Sequence, residues 1–146
     1  MKRFALALLL ALAAGVASNP AAAQTAAPLS TAQKLALRYP QPVRVGDVLG
    51  RRVLAPYESQ PVLGHVVAIR KGTNGALEMI MRQSSLFGSG AVVAISLDDV
   101  ALMGEHVALP DYDEAHPAIF KPATDAAAGA LGADEVIKMS LTKPFH

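Results

Sequence analysis

PVLGHVVAIRKGTNGALEMIMR, residues 61–82, consists of two apolar runs joined by Lys71-Gly72-Thr73-Asn74-Gly75. In the second run Leu77, Met79 and Met81 share one face, while Glu78, Ile80 and Arg82 share the other. That is the period of a half-buried antiparallel strand. The first run is apolar on both faces, with Val62, Val66 and Ala68 alternating with Leu63, Val67 and Ile69, as in a strand packed on two sides or bent by a bulge. Gly64 is the natural place for a bend or a close backbone approach. Asn74-Gly75 supplies the positive φ angles that tight hairpin turns demand. The stretch therefore reads as a β-hairpin that nucleates a small β domain.

Outward from the hairpin, short strands are expected on both sides. Residues 43–54 hold apolar pieces of strand length broken by Gly46 and Gly50, and residues 55–60 form a turn. Residues 84–90, Ser-Ser-Leu-Phe-Gly-Ser-Gly, read as a flexible loop. Residues 91–97 are a further strand rich in β-branched side chains, ended by Asp98-Asp99. Residues 100–103 and 106–109 are two short strands parted by Gly104-Glu105. Closely spaced short strands with glycine-marked turns imply a small barrel or tightly coiled sheet, because an open sheet of this size leaves exposed edges. The expected fold class is all-β, with short flanking helices.

The chain has 146 residues and no cysteine. One domain is expected, without disulfides or a Cys-based zinc site. Residues 1–23 have the parts of a secretory signal: Lys2 and Arg3, an apolar run from Phe4 to Ala14, and small residues ending in Ala21-Ala22-Ala23. Cleavage is expected near Ala23. The apolar run is shorter than the roughly 20 residues a bilayer-spanning helix needs, and no cysteine follows it for lipid attachment. The expected localisation is periplasmic, with no membrane span after cleavage. Lys2 and Arg3 are two of the 13 basic residues and all 12 acidic residues follow Gln24, so cleavage takes the formal charge from +1 to −1. Such a near-neutral chain lacks the basic footprint of a nucleic-acid binder.

Residues 24–42 read as a linker containing a short helix, with Ser30 as N-cap, Gln33 three positions on, and an end before Pro40. At the other end, residues 121–146 form a tail. Its Ala/Gly run over 126–133 is low in complexity and reads as mobile. Residues 135–142 alternate Val136, Lys138 and Ser140 against Ile137, Met139 and Leu141, which is a half-buried strand. Its apolar face is expected to join the barrel's edge or a partner.

The order of these signals resembles the PRC-barrel domain family. Gly50-Arg51-Arg52-Val53 matches a G-x-x-V opening, Leu63-Gly64-His65-Val66 a G-K-V hairpin start, and Val93-Ala94-Ile95-Ser96-Leu97 a V-A-V-P-hydrophobic strand. Ser96 stands where proline is common, and His65 where lysine is. The resemblance covers residues 45–120 and sets the domain at 43–120. It implies a small six-stranded β-barrel used for assembly or regulation, as in a photosynthetic reaction-centre subunit and a ribosome-maturation factor, with no catalytic site and no cofactor. Residues 111–117, Asp-Tyr-Asp-Glu-Ala-His-Pro, resemble the acidic, Pro-ended helix that trails such barrels.

No catalytic constellation stands out. His65, His106, His116 and His146 lack the spacing of helical or strand metal sites and read as separate surface positions. Asp98-Asp99 and Asp111/Asp113/Glu114 lack the loop of a calcium site, and Asp111 or Asp113 reads as a helix cap. Ser89, His106 and Asp98 are present without a nucleophile elbow, and Gly88-Ser89-Gly90 lacks the G-K-[ST] end of a phosphate loop. The expected function is therefore a non-enzymatic interaction or scaffold module of the cell envelope. Its candidate partner-binding residues are Ser85, Leu86 and Phe87 in the loop, with Ile137, Met139 and Leu141 in the tail. The partner is an envelope protein or a second copy, and the alternative is a barrel that binds a small ligand or cation.

Overall fold

The hairpin forms where its pattern places it. In the computed structural model, which describes residues 27–84, 90–116 and 118–145, strand β3 (Val62–Lys71) pairs antiparallel with β4 (Leu77–Gln83). Gly75 N–H donates to Gly72 O at 2.9 Å and Gly72 N–H to Ala76 O at 2.8 Å, giving a three-residue loop. Gly75 has φ +79° whereas Asn74 does not adopt positive φ. The expectation that both residues would do so is corrected: Asn74 instead accepts from Ala76 N–H through its side chain, the local bond for which asparagine is favoured in turns. The bulge sits between Val66 and Ala68, and Gly64 marks a close approach. A Cβ there would collide with the Arg82 carbonyl oxygen and lie 2.9 Å from Met81 Cγ.

The other elements, in chain order, are α1 (Thr31–Arg38), β1 (Gln41–Arg44), α2 (Val45–Val48), β2 (Arg52–Leu54), β5 (Val92–Ser96), β6 (Ala101–Met103), β7 (His106–Ala108), β8 (Lys121–Pro122) and β9 (Val136–Leu141). A 3-10 turn, Leu97–Asp99, follows β5 and is capped by the Ser96 hydroxyl. The strands form one sheet in the order β1-β9-β6-β7-β2-β3-β4-β5-β8, with parallel pairs at β2–β7 and β6–β9. The structure is mostly β and the sheet is not closed, since β1 and β8 stand at its two ends.

It nevertheless curls around one core. Val43 of β1 and Ile137 and Met139 of β9 pack into the same cluster as Met79, Met81, Val93 and Ile95 from the far half of the sheet. The closure anticipated from the edge-strand argument is replaced by protection of the edges. β1 contains Pro42 and Arg44, and β8 consists of Lys121 and Pro122. Proline and cationic residues are what natural edges use to resist pairing.

Three segments differ from expectation. Residues 45–48 form a helical turn rather than a strand. Val45 and Val48, at the i, i+3 spacing, are both buried, while Val45 and Gly46 N–H donate to Glu135 O and Ala133 O. Residues 111–116 form turns instead of an acidic helix. Asp113 accepts from Ala115 N–H at 2.9 Å, and such side-chain bonds compete with helix formation. The Ala/Gly run is docked along the hairpin: Lys71 N–H donates to Gly129 O and Leu131 N–H to Ile69 O, and Ala130 bridges Arg70. Its small side chains admit this backbone contact. Gly129, at φ +72°, has no Cβ to press on Lys71 O.

The short helix α1 forms with the reciprocal Ser30/Gln33 capping box. The leader expected over residues 1–23 lies outside the described residues. Among the described residues no helix is long and apolar enough to cross a membrane.

Two substitutions test this architecture. Gly64→Ala is expected to destabilise the protein by about 3 kcal/mol, the upper range for forcing an atom into packed structure, read as a fall in the urea midpoint. Ending the chain at Ala133 removes β9 from between β1 and β6 along with Ile137 and Met139, each worth about 1.5–3 kcal/mol of burial. The expected result is loss of the cooperative thermal transition; an unchanged melt would refute the internal role of β9.

Candidate docking groove

β9 contributes Val136 and Leu141 to the exposed surface around β1 and α1. Its burial alternates as the sequence pattern requires through Met139. Val136 and Lys138 are exposed, and Ile137 and Met139 are 4% and 2% exposed. The next position departs from the pattern, because Ser140, on the polar face, is covered by α1 and only 2% exposed. Its hydroxyl donates to Val100 O at 3.2 Å and lies 3.5 Å from Ala32 O. One short side chain thereby ties β9 to α1 and to the residue preceding β6.

A second tie fixes the same helix from a distance of 80 residues in sequence. The Asp111 carboxylate accepts from Thr31 N–H at 2.9 Å and Ala32 N–H at 2.8 Å, two of the amides a helix start leaves without an internal partner. Asp111 is a helix cap, as expected, but of α1 rather than of a helix of its own. Partial burial pushes its pKa up, and the bonds from Ala32 and Thr31 N–H, with further bonds from the Thr31 and Ser30 side chains, outweigh that and hold it below the ordinary value of 3.8. Its neighbour Asp99 is shifted the other way, first by burial and then by the nearby Asp98 and Asp111, with Lys121 partly offsetting them.

Docked in this way, α1 and the chain leaving it border two depressions. One, of about 620 Å³, is lined by β1 together with Asp47, Arg51, Leu102, Gly104, Val136 and Leu141. The other, of about 560 Å³, is lined by Leu35, Tyr39, Leu141, Thr142, Lys143 and Pro144. Leu141 lines both, so its side chain borders the two depressions that together are called the groove. The exposed apolar side chains here are substantial: Val136 is 63% exposed, Tyr39 42% and Leu141 40%. Arg51 forms part of the wall. Its Nε donates to Asp47 O and its Nη1 to Gly104 O at 3.0 Å.

The groove gathers one of the residues expected to bind a partner. Leu141 lies at its centre. Ile137 and Met139 belong to the same strand but are spent inside the core, so the apolar face read from the sequence is satisfied within the chain at two of its three positions and left exposed at Leu141. Ser85, Leu86 and Phe87 lie outside the described residues. Val136 was missed, although a signal existed in an apolar side chain placed among Lys138 and Ser140 on the polar face. The contribution of β1 and Arg51 was not legible, because it depends on β1 pairing with β9.

The remaining candidates stay dispersed. His65 is exposed on β3, where it pairs with Arg52 and Arg82. His106 is half-buried on β7. His116 bonds Asp113 at 3.0 Å on the surface, and that bond is the first cause of the lowered pKa of Asp113. His146 and Ser89 lie outside the described residues. Among the described residues no group of three or more His, Asp or Glu side chains is placed to hold a metal ion.

Comparison with known proteins adds no relative: no family model, no curated protein and no solved structure matches the chain.

The Asp111 tie has a pH signature. A carboxylate whose folded pKa is depressed stabilises the fold above its ordinary pKa, and this contribution disappears as pH falls through the depressed value. Asp111→Ala is expected to cost about 1 kcal/mol at pH 7, the usual worth of a helix cap. The difference between wild type and variant should shrink as pH falls below 3.8, measured as urea midpoints across the acid range.

Proposed function

We propose that this protein is a non-enzymatic interaction module of the cell envelope, of the PRC-barrel type, exported to the periplasm. Its working surface is the groove between β1, β9 and the end of α1. The observation that carries this reading is that large exposed apolar side chains line both depressions beside a fully formed core, Val136 with Leu141 in one and Tyr39 with Leu141 in the other. An isolated exposed apolar residue needs no explanation, whereas a contiguous set rimmed by polar groups marks an interaction surface.

Other features support the reading. The leader pattern of residues 1–23 supports export, and the Gly50–Val53, Leu63–Val66 and Val93–Leu97 motifs support the resemblance to that family. The form of the groove favours a macromolecule over a small ligand. Small-molecule sites bury some 70–90% of their ligand in a concave pocket, while this surface is open-sided along its length.

Site-specific photocrosslinking in cells tests the proposal. A benzophenone side chain at position 136 is expected to give discrete adducts with another protein. The same group at position 67, where Val67 is 38% exposed on the hairpin, is expected to give few. Equal yields at both positions, or none at position 136, would sink the reading.

A further inference from the structure

The docking groove has a charge character that its apolar floor alone does not show. Residues 31–54 carry Lys34, Arg38, Arg44, Arg51 and Arg52 against the single acid Asp47. Two of these cations, Arg44 and Arg51, line the groove against the one carboxylate there, that of Asp47. Ion pairs within 4.0 Å join Arg70 to Glu78 and His116 to Asp113; among the described residues neither Arg44 nor Arg51 forms one. Arg51 is held in place by two backbone carbonyls, so its orientation is set without its charge being neutralised. A fixed guanidinium has more N–H donors than those two bonds use. It is suited to a carboxylate, since the side-chain entropy cost of ordering it has been met already.

The neighbouring strand edge restricts how a partner can attach. Val45 N–H donates to Glu135 O, and the register continues through Arg44↔Val136, Val43↔Ile137 and Gln41↔Met139. By the alternation of an antiparallel ladder, Gln41 and Val43 direct their backbone groups toward β9, leaving Pro42 and Arg44 directed outward. Pro42 has no N–H, so this edge offers a single donor, that of Arg44. Strand addition, which draws its affinity from a run of main-chain bonds, is poorly served. Recognition falls to side chains.

On the basis of the docking surface proposed above, we infer that its occupant is an extended protein segment in which acidic and apolar residues are interspersed. Carboxylates meet Arg44 and Arg51 while apolar side chains cover Val136 and Leu141. The charge complementarity selects acidic over basic segments, and the open sides of the groove accommodate a chain that continues beyond it at either end.

The test uses the protein without its leader and a fluorescein-labelled ten-residue peptide of Glu, Leu and Ser, read by anisotropy against versions with Gln or Lys in place of Glu. The Glu peptide is expected to bind, to weaken as salt is raised, and to lose about tenfold in affinity with Arg44→Glu, one decade of dissociation constant. The melting temperature should be unchanged, because Arg44 is exposed. Arg51→Lys, which keeps the charge but not the paired carbonyl bonds, provides a second variant and should weaken binding less than Arg44→Glu.

Equal binding of the Glu and Gln peptides overturns the acidic preference, and crosslinking at position 136 then decides separately whether the groove docks a protein. Failure of all three peptides also overturns the inference. So does sedimentation showing a concentration-dependent dimer that Arg44→Glu dissolves, since the acidic residues 98–116 of a second copy would then be the occupant.

Discussion

The insertion of β9 between β1 and β6 is the contact on which the rest of the structure depends. It is antiparallel to β1 and parallel to β6, so a single segment carries ladder bonds to both neighbours. Its inward side chains join the core, and the Ser140 hydroxyl reaches α1 and Val100. Without it β1 would have no partner in the sheet, and α1 would keep only the Asp111 bonds and its remaining packing. A buried hydroxyl is costly when unpaired, and here its single proton goes to the Val100 carbonyl while the Ala32 carbonyl of the helix lies 3.5 Å away. The groove is a by-product of the same arrangement, since β1, β9 and the exit from α1 become adjacent only through this insertion.

The two sheet ends show how a sheet can stop without closing. Each terminal strand is short and contains a proline and a cationic residue. These features remove donors and add charge where another strand would otherwise add. Curling still lets residues from both halves share a core, so packing encloses what hydrogen bonding leaves open. The exposed apolar surface is consequently displaced from the strand edges to side chains of β9 and α1. There it offers contact area without a long row of free backbone groups.

Features governed by near neighbours were legible in the sequence. The hairpin, the strand at 92–96, the pair at 101–103 and 106–108, the capping box and the strand at 136–141 each follow from local periodicity and turn chemistry. Features decided by distant partners were not. Val45 and Val48 form a helical turn whose first amides are answered by carbonyls at 133 and 135. Asp111 was recognisable as a cap, yet nothing near it in sequence indicates that the helix it caps lies at residues 31–38. The alternation in β9 correctly divided Ile137 and Met139 from Val136 and Lys138. It could not show that Ile137 and Met139 would be consumed internally while Leu141 and Val136 would be left outside. The site was accordingly less legible than the fold: Leu141 was within reach of local reasoning, whereas Arg44 and Arg51 acquire their significance from a pairing that spans most of the chain.

That pairing also sets the order in which the molecule can assemble. Gln41 lies opposite Met139, so β1 meets its one strand partner among the described residues almost a hundred residues later. The β3–β4 hairpin closes across a three-residue loop and can form early, but β1 must wait for nearly the whole sequence. Loop closure over such a separation is paid in chain entropy before its contacts reward it. Until residues 136–141 are in place, β1 and the first turn of α1 remain without their strand and Ser140 contacts. The surface that we assign to a partner therefore exists only once β1 and β9 have paired.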